Sequence, residues 1–162
     1  MKKIFYWSPY LSNVATIRNV VNSAYSLIKY DKISFRAYIL DVFGEWNTKK
    51  KELSEKKIEY LKLSSLKINL PISGYLKSRV LSIRIFFSSI YPLLKLLKKE
   101  KPDYLIIHLL TSIPFSLLIF FNFKTKFILR ISGLPRLNFL RKLLWKTISK
   151  KITLVTCPSY ET

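Results

Sequence analysis

Short apolar runs of strand type alternate with longer stretches of helical spacing along the whole chain. Ile4 to Trp7 is aromatic and β-branched, and SPYLSN breaks it. Apolar positions then recur at Val14, Ile17, Val21, Ala24, Tyr25 and Ile28. That spacing predicts a helix, with Asn13 as its N-cap. Phe35 to Val42 reads as a second strand, closing in a loop with Asp41, Gly44 and Glu45. Lys49 to Lys57 is charged and reads as a solvated loop or a short helical turn, with a strand near Tyr60 to Leu63. Ser78 to Lys101 is helix-compatible, and its last turn carries the cations that a helix C-terminus favours before Pro102 stops it.

The second half repeats the alternation. Tyr104 to His108 predicts a strand, Ser112 to Phe121 a short apolar helix, and Lys126 to Ile131 the next strand. After the turn SGLP, Leu137, Leu140, Leu144 and Ile148 mark one helix face, and Leu154 to Cys157 supplies a last strand. Such alternation predicts an α/β, Rossmann-like fold: a mostly parallel sheet with helices on both faces. In the doubly wound order 3-2-1-4-5-6 a crevice opens where the first and fourth strands meet, outside their carboxyl ends. Those ends carry SPYLSN and the stretch from His108 to Pro114.

Length and composition then bound the answer. The 162 residues suffice for one domain with a sizeable core. A hydrophobic content of 49% excludes a disordered chain. The single cysteine, Cys157, precludes an intrachain disulfide and suits a reducing compartment, and with no Cys/His cluster no metal site is expected. The opening MKKIFYWSPYL begins like a signal peptide, but Ser8 and Pro9 cut its apolar run short, so it reads as a strand.

Charge widens the picture. Twenty-nine Lys and Arg against nine Asp and Glu give a net +20, a field that favours phosphates, anionic lipid headgroups or nucleic acid unless it is compositional bias alone. Nucleic acid is not expected, because no RNP-type strand, zinc finger or helix-turn-helix spacing is visible. Lys77, Arg79, Arg84, Lys95, Lys98, Lys99 and Lys101 flank the apolar residues of one helix, and Arg136, Arg141, Lys142, Lys146, Lys150 and Lys151 those of another. Basic amphipathic helices of this kind suit either a peripheral membrane surface or an ordinary core-facing helix with a solvated back.

His108, the sole histidine, lies in the apolar run PDYLIIHLLTSIP. Three readings are open. Tyr104 to Phe121 has about the ~20 residues of a membrane span. His108 could instead be a hydrogen-bonded core residue. Or it sits at the carboxyl end of the fourth strand, facing the crevice, where an imidazole can donate a hydrogen bond or move a proton.

The ordered set of segments IFYWSPYLSNVATIRNV, YILDVFGEW, PDYLIIHLLTSIP and KFILRISGLPRLNFLRKLLWKTISKKITLVTCPS resembles the N-terminal, acceptor-side domain of family 4 glycosyltransferases of the GT-B type. The resemblance covers nearly all of residues 1–162. It implies transfer of a sugar, hexosyltransferase-like, from a nucleotide-sugar donor to a sugar or lipid-linked acceptor, in surface polysaccharide or glycolipid synthesis. In that family the donor is held mainly by a C-terminal domain with a Glu-x7-Glu pattern, which these residues do not contain. The chain is therefore expected to be inactive alone, as a fragment or as one partner of a split transferase, with a non-catalytic membrane-associated subunit as the alternative. The expected location is cytoplasmic, peripheral on the inner face of the cell membrane.

Carried over residue by residue, the resemblance implies that His108, with Thr111 and Ser112, lines the cleft opposite Ser8 and Asn13. His108 is the expected contact to the transferred sugar or acceptor hydroxyl. Arg130 would hold an anionic group of acceptor or donor, or else pair with a surface carboxylate. Gly133 serves the turn or a contact, and Ser159 and Glu161 face the cleft or fray at the chain end. SPYLSN lacks the glycines that let a donor phosphate approach the backbone in many members, so phosphate contact at that loop is in doubt. No cofactor or metal is implied.

Overall fold

The computed structural model describes residues 1–12, 14–31, 34–64, 75–133 and 138–157. Six strands form one parallel sheet: β1 (Lys2–Trp7), β2 (Phe35–Asp41), β3 (Glu59–Lys62), β4 (Tyr104–Ile107), β5 (Lys126–Arg130) and β6 (Leu154–Thr156). Their order is β3-β2-β1-β4-β5-β6, the doubly wound order expected from the alternation of runs. The five α-helices are α1 (Ala15–Tyr30), α2 (Lys50–Glu55), α3 (Tyr75–Glu100), α4 (Ser112–Phe120) and α5 (Phe139–Ile148).

Alternation along each strand divides the core into two layers. Phe5, Trp7, Leu105, Ile107, Phe127 and Leu129 point to one face and pack with Ile85, Leu93 and Leu97 of α3, Ile113, Phe115, Leu117 and Leu118 of α4, and Ile148 of α5. Ile4, Tyr6, Ala37 and Ile39 point to the other and pack with Ile17, Val20, Val21 and Ala24 of α1 and Leu53 of α2. Because β1 and β2 are covered on both faces, they read as unbroken apolar runs. Trp7, Phe5 and Phe115 are fully buried, and each such side chain contributes about 1.5–3 kcal/mol of burial energy.

Three expectations change. Val14, in extended conformation, occupies the N-cap position of α1 and makes no side-chain cap bond, while Asn13 lies outside the described residues. Leu140 is 72% exposed, so the inward side of α5 is built by Leu144, Trp145 and Ile148. Positions 140, 144 and 148 satisfy helical periodicity as well as 141, 145 and 148 do, so spacing alone cannot set a helix's rotation. Tyr104 to Phe121 is a strand, a turn and a nine-residue helix within the sheet fold, which overturns the membrane-span reading of that segment.

Among the described residues one helix, Arg79–Glu100, is long and apolar enough to cross a membrane. Its Ile85, Ser89, Leu93 and Leu97 are buried at i+4 spacing. A second stripe, Val80, Ile83, Phe87 and Tyr91, points outward and is 59–72% exposed.

Candidate active site

The carboxyl ends of β1 and β4 lie side by side, as the doubly wound order requires. Pairing continues one step past β4, where the His108 N–H donates to the Trp7 carbonyl at 2.9 Å. His108 and Ser8 are thus brought next to each other at the end of the sheet. His108 is only 5% exposed and its ring stacks on Tyr6, yet among the described residues neither ring nitrogen has a hydrogen-bond partner. The fully buried Ser8 hydroxyl is also without one. Buried polar atoms are almost always paired, so two orphaned side chains at neighbouring strand ends are a departure, and of the two it is His108 that a ligand hydroxyl in the adjoining pocket would partner.

After His108 the chain turns sharply. Leu110 has φ +46°, a left-handed conformation that costs a non-glycine residue about 1–2 kcal/mol. Its carbonyl accepts a hydrogen bond from the Trp7 indole at 3.3 Å, which helps hold the turn against that strain. The turn sets Thr111 and Ser112 at the start of α4, where Thr111 makes no capping bond with its hydroxyl.

These residues line a pocket of about 350 Å³ together with the end of β5 and one side of α5. It brings together His108, Thr111, Ser112, Arg130 and Gly133, all singled out from the sequence. Ser8 is fully buried and does not line the pocket, and Asn13, Ser159 and Glu161 lie outside the described residues. Gly133 keeps an ordinary backbone conformation with nothing within 4 Å of where a Cβ would stand. The sequence reading did not place Arg141, Leu144 and Trp145 at the site, having put Leu144 on the apolar face of α5 and Arg141 among the basic residues that flank it. The i, i+3, i+4, i+7 set Arg141, Leu144, Trp145 and Ile148 was the available signal.

Electrostatics fix the state of the imidazole. Burial first, and then the positive charge of Arg130, push the His108 pKa down to about 4. The ring is therefore neutral at physiological pH, with one nitrogen a donor and the other an acceptor. Burial likewise pushes the Tyr6 hydroxyl up to about 12, with the Ser23 hydrogen bond and Arg130 opposing it. A neutral, weakly basic imidazole suits hydrogen bonding to a hydroxyl better than proton abstraction, since a general base works best with a pKa near the working pH. Among the described residues no group of His, Cys, Asp and Glu is gathered for a metal ion.

Solved structures supply the comparison. The chain is similar to the glycosyltransferase SsfS6 of Streptomyces sp. SF2575, with a TM-score of 0.58 and 9% identity, over 100% of this chain and 52% of that one. It has one half of a GT-B glycosyltransferase fold. The spinosyn forosaminyltransferase SpnP aligns with a TM-score of 0.55 and 12% identity, over 93% of this chain and 41% of that one. The glycosyltransferase SnogD from Streptomyces nogalater gives 0.53 and 13%, over 98% and 44%. The chain thus spans about half the length of these neighbours. No family model matches the sequence, and no curated protein matches it.

Proposed function

We propose that this chain is the acceptor-side half of a GT-B glycosyltransferase, of the family-4-like kind that its segments resemble. The observation that carries the reading is the orphaned pair His108 and Ser8 at the adjoining carboxyl ends of β1 and β4, the topological switch point at which an open α/β sheet binds its ligand. In this reading the acceptor occupies the pocket and its reacting hydroxyl meets His108, with Thr111, Ser112 and Arg130 orienting it. Asn13 belongs to the proposed site on the resemblance alone. The nucleotide sugar is held mainly by a second Rossmann-like half, which closes over this one and excludes water from the reacting centre.

A second observation supports a membrane location. The outward stripe of α3 exposes Phe87 at 72% and Tyr91 at 68%, and α5, in the same helical layer, exposes Phe139 at 79% and Leu140 at 72%. Arg84, Lys95, Lys98, Lys142 and Lys146 are exposed on the same two helices. Apolar side chains set among cations match an anionic bilayer surface, each cation adding about 1 kcal/mol near it. We place the protein on the inner face of the cell membrane, acting in glycolipid or surface polysaccharide synthesis on a lipid-linked acceptor.

The test is sugar transfer from a panel of labelled nucleotide sugars to membrane lipid extract, by the chain alone and by the chain supplied with a nucleotide-sugar-binding half. Transfer that needs both halves, and that His108→Ala abolishes while the fold is retained, is expected. Absence of transfer in both arms would displace this reading in favour of a non-catalytic membrane-associated subunit.

A further inference from the structure

We propose that the pocket at the carboxyl ends of β4 and β5 is a subsite for an anionic group, phosphoryl or carboxylate, carried by the acceptor. The proposal rests on the transferase reading above and narrows its acceptor class.

Four features of the pocket converge. Arg130, from the end of β5, and Arg141, from α5, both line it, and among the described residues no acidic side chain does. Among the described residues no carboxylate forms an ion pair with Arg130. The first turn of α4 opens on the same space, and a helix start carries unbonded N–H groups and a partial positive charge. His108, 5% exposed and on the pocket wall, holds two ring nitrogens without partners, one of which is a donor in the neutral ring. Guanidinium groups from two elements, a helix start and an imidazole N–H make a donor set for an oxyanion, since guanidinium pairs with carboxylate and phosphate in fork geometry. Leu144 and Trp145 leave an apolar wall beside it for the rest of the acceptor.

The anion is assigned to the acceptor because none of the described residues of the loop after β1 lines the pocket. That loop, SPYLSN, has no glycine to bring backbone N–H groups close to a donor diphosphate.

The probe is inorganic phosphate, with acetate in parallel, titrated into the 162-residue chain at constant ionic strength while the Hε1 resonance of the sole histidine is followed by NMR. A saturable shift is expected, and Arg130→Gln and Arg141→Gln should each weaken it about tenfold, the scale of one charge-assisted contact. Lys62→Gln, at the far side of the sheet, should leave it unchanged. Circular dichroism checks that each variant is folded. Equal binding in wild type and both Arg variants, or a shift no larger than chloride produces, would overturn the subsite. So would displacement of phosphate by uridine diphosphate with the same sensitivity to both Arg variants, which would give the anion to the donor.

The transfer assay separates the two claims. Transfer to neutral and anionic acceptors alike, unaffected by Arg130→Gln, would leave the transferase standing and remove the subsite. Phosphate binding that depends on both arginines without transfer to any acceptor would do the reverse.

Discussion

The imidazole of His108 lies stacked against the phenol ring of Tyr6, with centroids 6.2 Å apart and planes 27° from parallel. The two side chains come from neighbouring strand ends and share one face of the sheet, and the charge of Arg130 reaches both. The aromatic partner buries the imidazole without offering it a hydrogen bond. Burial and a nearby cation both disfavour its charged form.

The titration of His108 follows. Its Hε1 resonance should move with a midpoint near 4 rather than the ordinary 6.5. Between those values the unfolded chain binds more protons than the folded one, so this group lowers stability as pH falls from 6.5 toward 4, and its full contribution is present above 6.5. Arg130→Gln should raise the midpoint by removing the second of the two causes. A midpoint in the variant at or below that of the wild type would contradict the assigned interaction.

Glu45 should give the opposite slope. It is 2% exposed, and burial first, then the hydrogen bond and charge of Asp41, lift its carboxyl from 4.5 to about 9. Bonds from the N–H groups of Val42 and Phe43 pull the other way and are outweighed. The native state keeps a proton that the unfolded chain has lost, so stability declines as pH rises from 4.5 toward 9. Glu45→Gln removes that proton's dependence while keeping an acceptor for one N–H. Urea unfolding between about pH 7 and 9, above the range in which His108 titrates, should show a flatter dependence in the variant. Parallel curves for the two proteins would rule Glu45 out as the source.

Much of this was legible in the sequence, and what was not has physical reasons. The strand order, the place of His108 and Arg130 at strand ends, and that of Thr111 and Ser112 just beyond one, follow from the alternation of short apolar runs with longer stretches of helical spacing, because parallel strands covered on both faces read as continuous apolar runs. The inward side of α5 was misplaced at Leu140, since two faces of that helix carry apolar residues at the same period. The spacing of α3 suits a membrane surface as well as a core-facing helix, and it does not show that an apolar stripe from Val80 to Tyr91 faces outward while Ile85, Leu93 and Leu97 face the core. Asp41 and Glu45 read as loop residues and Tyr60 as the start of a strand, and nothing in the sequence joins them. The Tyr60 hydroxyl reaches the Asp41 carboxylate because β3 pairs with β2.

Gly44 and Gly133 should respond differently to alanine. Gly44 has φ +96°, and an added Cβ would stand 2.8 Å from Asn47 Nδ2. The turn it makes also lets its N–H donate to Asp41 Oδ1 at 2.9 Å. Gly44→Ala should cost about 1–2 kcal/mol from the backbone conformation alone. Gly133→Ala, with open space and no left-handed backbone, should stay within about 0.5 kcal/mol of wild type. Denaturant midpoints with unchanged slopes would measure both, and equal losses would mean that Gly44 is not held by its conformation.

The outward stripe of α3 gives the last prediction. Phe87 and Tyr91 are one turn apart on the side opposite Ser89 and Leu93, so replacing both with Ser leaves the sheet-facing side of the helix untouched. Each removes a large exposed ring, so folding stability should change little, within about 0.5 kcal/mol per site. Binding to vesicles is another matter, because an interfacial helix is held by the sum of its buried apolar area and its attraction to anionic lipid. In sedimentation with vesicles containing phosphatidylserine, the double variant should lose binding at every salt concentration. Arg84→Gln with Lys95→Gln should lose binding chiefly at low salt, where the Debye length is long, and converge on wild type as salt is raised. Loss in neither variant would leave that stripe without a membrane role. Loss in the charge variant alone would mean that the protein is held at the surface electrostatically, with the rings of Phe87 and Tyr91 outside the bilayer.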